Sequence, residues 1–135
     1  MKKILLLVCI VLFFGCNEKK HLECNVIETV SPKFTNGDIA KFAIATLTNE
    51  SEQIMDVTNE GEKYFVSYNR KSDSEKLKYK VKFEYGRIIW GTINGRWKKG
   101  HSDIRVKYRK NKNTLMITLN MSDGSMAVRE FTKKN

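Results

Sequence analysis

The feature that most constrains the fold is a stretch of strict alternation between charged and apolar side chains. In residues 76–84 every second residue is Leu, Tyr, Val or Phe, and the residues between them are Lys or Glu. Alternation with a period of two is typical of a β-strand with one buried face and one exposed face. Tyr85-Gly86 follows at once and predicts a two-residue hairpin turn, because glycine accepts a positive φ. The stretch therefore predicts an antiparallel hairpin with lysines on its outer face.

Turn residues fix the register of the predicted sheet. The first turn pairs Glu84 with Arg87. Counting back along both strands gives three pairs on the inner face: Phe83–Ile88, Val81–Trp90 and Tyr79–Thr92. Asn94-Gly95 predicts a second two-residue turn, which puts Thr92 opposite Trp97 on the same inner face.

Further strands follow from the same reasoning. Upstream, alternation joins one strand to the first hairpin through the pairs Tyr64–Val81, Val66–Tyr79 and Tyr68–Leu77. Downstream, a turn at Asn111-Lys112 gives the pairs Tyr108–Leu115, Val106–Ile117 and Ile104–Leu119. Asp123-Gly124 predicts a last hairpin, whose register would point Glu130 inward and Phe131 outward. The sequence alone does not decide the register of this last hairpin.

One amphipathic helix is predicted over residues 36–48. Thr35 is expected to cap it, and the carboxylate of Asp38 suits the positive end of the helix dipole. Apolar residues recur at helical spacing and form one stripe: Ile39, Phe42, Ala43 and Leu47. A helix this short is not stable alone in water, so it must pack on the sheet.

Together these elements predict an α+β fold, in which one N-terminal helix packs on a sequential antiparallel meander of about six strands. The sequence does not decide whether strand twist curls this sheet toward a half-barrel around the helix. The predicted inner face consists of Tyr64, Val66, Leu77, Tyr79, Val81, Phe83, Ile88, Trp90, Trp97, Ile104, Val106, Leu115, Ile117 and Leu119.

The N-terminus predicts an exported protein. Lys2 and Lys3 form a short basic segment, residues 4–14 are all apolar, and polar residues begin abruptly after Cys16. Such a run would span about 16 Å as a helix, roughly half of a bilayer's hydrocarbon core, so a transmembrane helix is disfavoured. A basic start, an apolar run and a small residue before the cut, here Gly15, are typical of a signal peptide.

The segment Phe13-Phe14-Gly15-Cys16 resembles the lipobox of bacterial lipoprotein precursors. The resemblance implies that residues 1–15 are a signal peptide and that Cys16 becomes a new N-terminus carrying acyl chains such as palmitate. Two or three such chains anchor a protein stably in a membrane. Residues 16–33 would then form a tether, and residues 34–135 a single domain.

Asn17 follows the predicted lipid anchor. The inner-membrane retention signal of lipoproteins has Asp at this position, so the resemblance implies the outer membrane of the cell envelope, facing the periplasm. The alternative is an ordinary signal peptide cut near Gly15. With lipid on Cys16, Cys24 is the only free thiol of the mature chain, either as a small hydrophobe or in an intermolecular disulfide. Residues 25–30 could also form a first edge strand.

The sequence contains no recognisable catalytic set. Of its two histidines, His21 lies in the tether and His101 lies in a loop. Ser102 and Asp103 follow His101 directly, and sequence neighbours need not converge as a triad, so ordinary turn chemistry explains the loop. Neither the ligand spacing of a metal site nor a glycine-rich phosphate-binding motif occurs. We therefore predict a protein that is not an enzyme, without catalytic residues, metal or cofactor.

The outer face of the predicted sheet is strongly basic. The formal net charge of the chain is +10, and it falls to +8 when Lys2 and Lys3 leave with the leader. Isoleucines among the cations make this face a candidate docking surface for an acidic protein or anionic lipid headgroups. A merely solvated face is the alternative. The candidate partner-binding residues are Lys78, Lys80, Lys82, Ile89, Ile93 and Arg96.

Three functions are compatible with these features. The first is a non-enzymatic binding or accessory module of the envelope, of the secretion, pilus-assembly or phage- and plasmid-exclusion type. The second is a carrier that holds a lipid or another apolar molecule between the helix and a curled sheet. The third is an inhibitor of an exported enzyme, although a basic protein is repelled by basic wall-cleaving enzymes. Nucleic acid is disfavoured as a partner, because the predicted register points the aromatic rings inward, away from the cations.

Overall fold

Seven antiparallel strands and one α-helix build residues 33–134, the part of the chain that the computed structural model describes. The helical elements are α1 (Asn36–Thr48) and one turn of 3-10 helix (Glu52–Ile54). The strands are β1 (Asp56–Glu60), β2 (Lys63–Asn69), β3 (Lys76–Glu84), β4 (Arg87–Thr92), β5 (Arg105–Asn111), β6 (Thr114–Asn120) and β7 (Met126–Thr132). The strands pair in sequence order within a single sheet. The predicted α+β meander with one helix is confirmed, with seven strands instead of about six.

The predicted leader and the tether up to residue 32 lie outside the described residues. The same holds for Cys16, Cys24 and the candidate strand at residues 25–30. Export and acylation therefore stay predictions.

Strand β1 is the strand that the sequence pattern did not predict. It is short and polar, with Val57 as its one apolar residue, and four of its five residues are exposed. Val57 pairs with Val66 of β2, and Gly61, at φ +59°, lies in the turn between the two strands. An edge strand has one neighbour only and needs little apolar surface, so period-two alternation does not reveal it.

Helix α1 begins and ends at well-defined caps. The Asp38 backbone N–H donates to Thr35 Oγ1 over 3.1 Å, and the Thr35 N–H donates to Asp38 Oδ2 over 2.9 Å. This reciprocal pair is a capping box, and it confirms Thr35 as the predicted cap. At the other end Asn49 takes a left-handed conformation at φ 53°, and its N–H donates to the Ala45 carbonyl.

The core lies between α1 and the inner face of the sheet. The fully buried helix residues are Ile39, Ala40, Ala43, Ile44 and Ala45. Of the predicted stripe, Phe42 and Leu47 are only partly buried, at the margin of the core. All predicted inner-face residues belong to the core or pack against it except Trp97.

The sheet curves around α1. The helix contacts β1, β2 and β3 near one edge of the sheet and also β6 near the other edge. In a flat sheet β2 and β6 would lie about 19 Å apart, which exceeds the roughly 10–12 Å diameter of a helix with its side chains. The inner face is therefore concave and the other face convex. The sheet does not close, and β1 and β7 remain its edges.

Strand β7, at the end of the chain, is bound to α1 near both helix termini. The Arg129 guanidinium donates to the Glu50 carbonyl over 3.2 Å, just beyond the helix C-terminus, where a cation is favoured. Lys133 Nζ lies 2.7 Å from Asp38 Oδ2, in the first turn of the helix. Burial raises the pKa of Asp38, but its hydrogen bonds with Lys133 and Thr35 outweigh burial, and the net pKa lies below its ordinary value.

The register of strands β2, β3 and β4 agrees with the prediction. Glu84 pairs with Arg87, and Tyr64 pairs with Val81, as the turn and the alternation require. Tyr85 and Gly86 take φ values of +50° and +74°, as expected for the two central residues of a type I′ turn. One short turn thus fixes the pairing of the strands beside it.

Two downstream registers differ from the prediction. The β5–β6 turn lies one residue later, with Lys112 at φ +53°, so Tyr108 pairs with Ile117. That shift of two residues leaves every side chain on its predicted face. Between β6 and β7 a five-residue loop replaces the two-residue turn, and the register shifts by one. Phe131 therefore faces inward at 9% exposure, and the inward Glu130 of the predicted hairpin is wrong.

Truncation of Phe131 tests this last register. The Phe131 and Phe42 ring centroids are 4.2 Å apart, so Phe131→Ala should lower the free energy of unfolding by about 3 kcal/mol. Val128 is 54% exposed on the other face of β7, and Val128→Ala should cost about 0.5 kcal/mol or less. Urea titration measures both values. Equal losses for the two variants would contradict the inward position of Phe131.

Candidate functional site: the outer face of the sheet

The outer face is the convex side of the sheet, opposite α1. It carries Lys78, Lys80 and Lys82 of β3, because the intervening residues of that strand face the core. A single helix covers only one side of a sheet, so no helix of the described residues packs on this side. The predicted position of the three lysines is confirmed at the level of face and register.

Trp97 lies on the outer face, which corrects the predicted inward position. Its ring centroid is 4.8 Å from Lys80 Nζ and 4.6 Å from Lys82 Nζ. Ammonium groups at such distances from an indole ring make cation–π interactions. We call Lys80, Lys82 and Trp97 the Trp97 cluster.

The position of Trp97 follows from the loop after β4. The Gly95 N–H donates to the Thr92 carbonyl over 3.0 Å, which makes a turn at Asn94-Gly95 as expected. Beyond that turn, however, the Lys98 N–H donates to the Trp90 carbonyl, and Lys98 pairs with Trp90. A two-residue hairpin would pair Trp90 with residue 99. The shift of one residue moves Trp97 to the opposite face.

The same loop lies directly on the sheet at Gly91. A Cβ atom built on Gly91 would lie 2.6 Å from the Arg96 carbonyl oxygen, so only glycine permits this approach. Lys80 Nζ donates to the Gly95 carbonyl over 2.6 Å, which ties the loop to β3. The segment from residue 93 to residue 98 therefore covers part of the outer face.

An ion pair holds the base of this loop. The Arg96 guanidinium donates to both carboxylate oxygens of Asp103, over 2.8 and 2.6 Å, and the Gly100 N–H adds a third hydrogen bond over 2.9 Å. The Arg96 hydrogen bond, followed by that of Gly100, lowers the pKa of Asp103 to about 2. Asp103 thus closes the loop that contains His101 and Ser102.

Several of the candidate cations already have partners within the protein. Lys82 Nζ lies 3.1 Å from Glu84 Oε1, and this hydrogen bond holds the pKa of Glu84 below its ordinary value. Lys78 Nζ lies 5.2 Å from the centroid of Phe65, an outward residue of β2. Arg96 is bound to Asp103, although its side chain is 61% exposed.

The two candidate isoleucines differ in position. Ile89 pairs with Lys82 and is 3% exposed, so it is not free to contact a partner. Ile93 is half-buried, and its N–H donates to the Lys78 carbonyl. The structure therefore brings all six predicted residues to one side of the sheet, but it buries the apolar contact expected from Ile89.

Sequence reasoning missed the aromatic and apolar residues of this face. Phe65 and Met116 lie between inward residues that were predicted on their strands. Because alternate residues of a strand face opposite sides, their outward position could have been predicted as well. Trp97 could not be found in this way, because its register depends on the loop. The premise that the aromatic rings point away from the cations is wrong for Trp97 and for Phe65.

Exposed apolar groups occur on other strands of the same face and in its turns. Tyr85 is fully exposed, Met126 is 64% exposed, Val128 54% and Met116 36%. On β5 the outward cations Arg105, Lys107 and Arg109 are exposed and form no ion pair within residues 33–134. The free positive charge is therefore concentrated on β5 more than on β3.

Two other kinds of site are absent from the described residues. No group of three or more His, Cys, Asp or Glu side chains in the described residues is placed to hold a metal ion. Within residues 33–134, no helix has the length and apolar character that crossing a bilayer requires. No protein-family model matches the sequence, and neither a curated protein nor a solved structure is significantly similar to the chain.

Two tryptophan variants separate the outer position of Trp97 from a core position. Trp97→Ala should cost about 1–2 kcal/mol of unfolding free energy, because it removes two cation–π contacts and partial burial. Trp90→Ala should cost about 3–5 kcal/mol, because Trp90 packs against the core. Chemical denaturation followed by circular dichroism measures both. A loss for Trp97→Ala as large as that for Trp90→Ala would place Trp97 in the core after all.

Acid titration tests the Arg96–Asp103 pair. The Asp103 pKa of about 2 in the folded state lies below the ordinary value near 4, so the pair stabilises the fold above about pH 4 and loses this effect as the pH falls toward 2. Asp103→Asn should therefore be less stable than the wild type at neutral pH, and the difference should shrink between about pH 4 and 2. Urea midpoints across this range measure the difference.

The matched control for that titration is Asp56→Asn, which removes an exposed carboxylate that forms no ion pair in the described part of the chain. Its effect on the neutral-pH midpoint should be small. A difference between Asp103→Asn and wild type that stays constant down to pH 2 would contradict the lowered pKa.

Proposed function

We propose that this chain is a small basic lipoprotein of the cell envelope that acts as a non-enzymatic binding or accessory module. The observation that carries the proposal is a sheet covered by a helix on one side only, whose other side concentrates lysine and arginine. A surface rich in cations and interspersed with exposed apolar groups suits an acidic protein or anionic headgroups. Secretion or pilus assembly and phage or plasmid exclusion are processes in which such a module would serve.

The lipid anchor on Cys16 is part of this proposal. It is supported by the lipobox resemblance of residues 13–16 and by the polar segment that follows. An anchor on the outer membrane would hold the folded domain in the periplasm at the end of a tether, and a flexible tether of residues 17–33 would span on the order of 20–25 Å. The outer face would then meet partners that are themselves bound to the envelope.

The carrier function has weaker support. In a carrier, Trp90, Trp97 and Tyr79 would line a void. Instead Trp90 Nε1 donates to the Ile104 carbonyl over 3.3 Å, the Tyr79 ring stacks on Tyr68, and Trp97 lies on the outer face. Burial, followed by the influence of Tyr68, raises the pKa of Tyr79 to about 12. A groove of about 520 Å³ lies outside the core, between the start of α1 and β1, and its walls include Asp38, Lys41 and other polar groups. A lipid would require apolar walls.

Replacement of the predicted anchor residue tests the proposal. Cys16→Ser should remove the acylation site, so the protein should leave the membrane fraction and lose incorporation of labelled palmitate. Cys24→Ser is the matched control, since it removes a thiol without touching the lipobox, and it should leave both readouts unchanged. Membrane sedimentation and labelling that persist in Cys16→Ser would contradict the anchor.

A further inference from the structure

One end of the sheet carries a fully exposed aromatic residue that the fold does not explain. Tyr85 occupies the first central position of the β3–β4 turn at φ +50°, where Asn, Asp or Gly is usual. The residue is fully exposed, so its ring contributes nothing to the packing of the core. A tyrosine at this position is unfavourable for the turn and adds nothing to the core. We therefore attribute its presence to a contact with another molecule.

Basic side chains surround this turn. Lys107 pairs with Arg87, so β5 continues past the turn and places Arg109 and Lys110 at its level. The adjacent β5–β6 turn adds Lys112. We call the set of Tyr85, Arg87, Arg109, Lys110 and Lys112 the basic tip.

The positive charge of the basic tip is only partly compensated. All four cations are exposed, and none forms an ion pair within the described residues. Glu84 lies opposite Arg87 in the hairpin, but its carboxylate forms its ion pair with Lys82. Glu130 of β7 is the other acid at this level, opposite Met116, so the four cations still outnumber the acids. Met116, which pairs with Arg109, adds a partly exposed flexible apolar side chain at the same end. The tip thus presents positive charge next to one phenol and one thioether.

We propose that the basic tip docks on the surface of a bilayer that contains anionic lipids. Each lysine or arginine near such a surface strengthens binding about fivefold, and the attraction falls off within a Debye length. Tyrosine side chains are enriched at membrane–water interfaces, where the ring meets acyl chains and the hydroxyl meets water. The inference rests on the proposed function, because a lipid anchor at Cys16 would hold the tip close to a membrane.

The shape of the tip favours a lipid surface over other anionic partners. Two neighbouring hairpin turns project from the end of a convex sheet, and a deformable surface needs no complementary pocket. Single-stranded nucleic acid binds by stacking successive bases on free aromatic rings. Here Tyr85 is the one ring of the tip, while Phe65 and Trp97 already have lysine ammonium groups over them. An acidic protein would have to match the shape of the two projecting turns, which a bilayer surface need not do.

The test uses the full chain with Tyr85→Trp, mixed with vesicles of phosphatidylcholine alone or with about 30 mol% phosphatidylglycerol. Brominated acyl chains in the vesicles quench an indole that enters the interface, and the wild-type chain gives the background of Trp90 and Trp97. The introduced indole should be quenched about twofold more in the anionic vesicles, and about 0.5 M salt should remove the difference.

A charge-matched pair of triple variants provides the control. In the Tyr85→Trp background, the triple variant Arg87→Gln, Arg109→Gln and Lys112→Gln should lose the dependence on anionic lipid. The triple variant Lys71→Gln, Lys76→Gln and Arg105→Gln removes the same charge from exposed positions at the opposite end of the sheet, and it should keep that dependence. Unfolding midpoints close to that of the parent show that both variants fold.

Each outcome decides the inference. Equal quenching in the two vesicle types, or equal loss in both triple variants, would overturn docking by the tip. So would a blue shift of the introduced indole that arises with oligothymidylate or an acidic peptide and not with anionic vesicles. Mass analysis of the mature N-terminus tests the anchor separately. A chain without acyl groups would sink the proposed function, yet its quenching by added anionic vesicles would still report on the tip.

Discussion

The structure depends on the burial of one helix face against one side of the sheet. Helix α1 has 13 residues and is too short to persist alone in water, while its buried residues Ile39, Ala43 and Ile44 are fully enclosed. The strands wrap around this single apolar body because no other helix of the described residues competes for their inner face. The outer face is available to water or to a partner. Its lysines and arginines disfavour non-specific association with other sheets.

Local signals sufficed where a turn was short and its neighbours alternated cleanly. Tyr85-Gly86 fixed β3 and β4 in their observed register, alternation joined β2 to them, and Thr35 marked the start of the helix. Prediction failed where distant residues decide the conformation. The path from residue 93 to residue 98 depends on the Arg96–Asp103 pair and on the space above Gly91, and neither can be read from adjacent residues. A shift of the register by one residue there was enough to move Trp97 from the inner face to the outer face.

The sequence predicted which side of the sheet carries the lysines, but not which of those lysines are free to bind a partner. Parity alone places Lys78, Lys80 and Lys82 outward, since their neighbours are needed by the core. Whether these lysines are free to bind a partner depends on their side-chain contacts. Lys80 already contacts Trp97 and the Gly95 carbonyl, and Lys82 already contacts Trp97 and Glu84. The role of the exposed Tyr85 was not predictable for a different reason. The dipeptide Tyr85-Gly86 is sufficient to predict a turn, and that prediction does not depend on the tyrosine ring.

The attachment of β7 to α1 joins the two ends of the folded region, through contacts such as Lys133–Asp38 that span 95 residues. The caps of the helix are made by neighbouring residues, whereas the margin of its apolar face at Phe42 is covered by Phe131 of β7. Contacts of such large sequence separation raise the contact order of the domain, which is associated with slower folding. Loss of β7 would therefore uncover Phe42 and release both ends of α1 at once, although the two elements lie at opposite ends of the described residues.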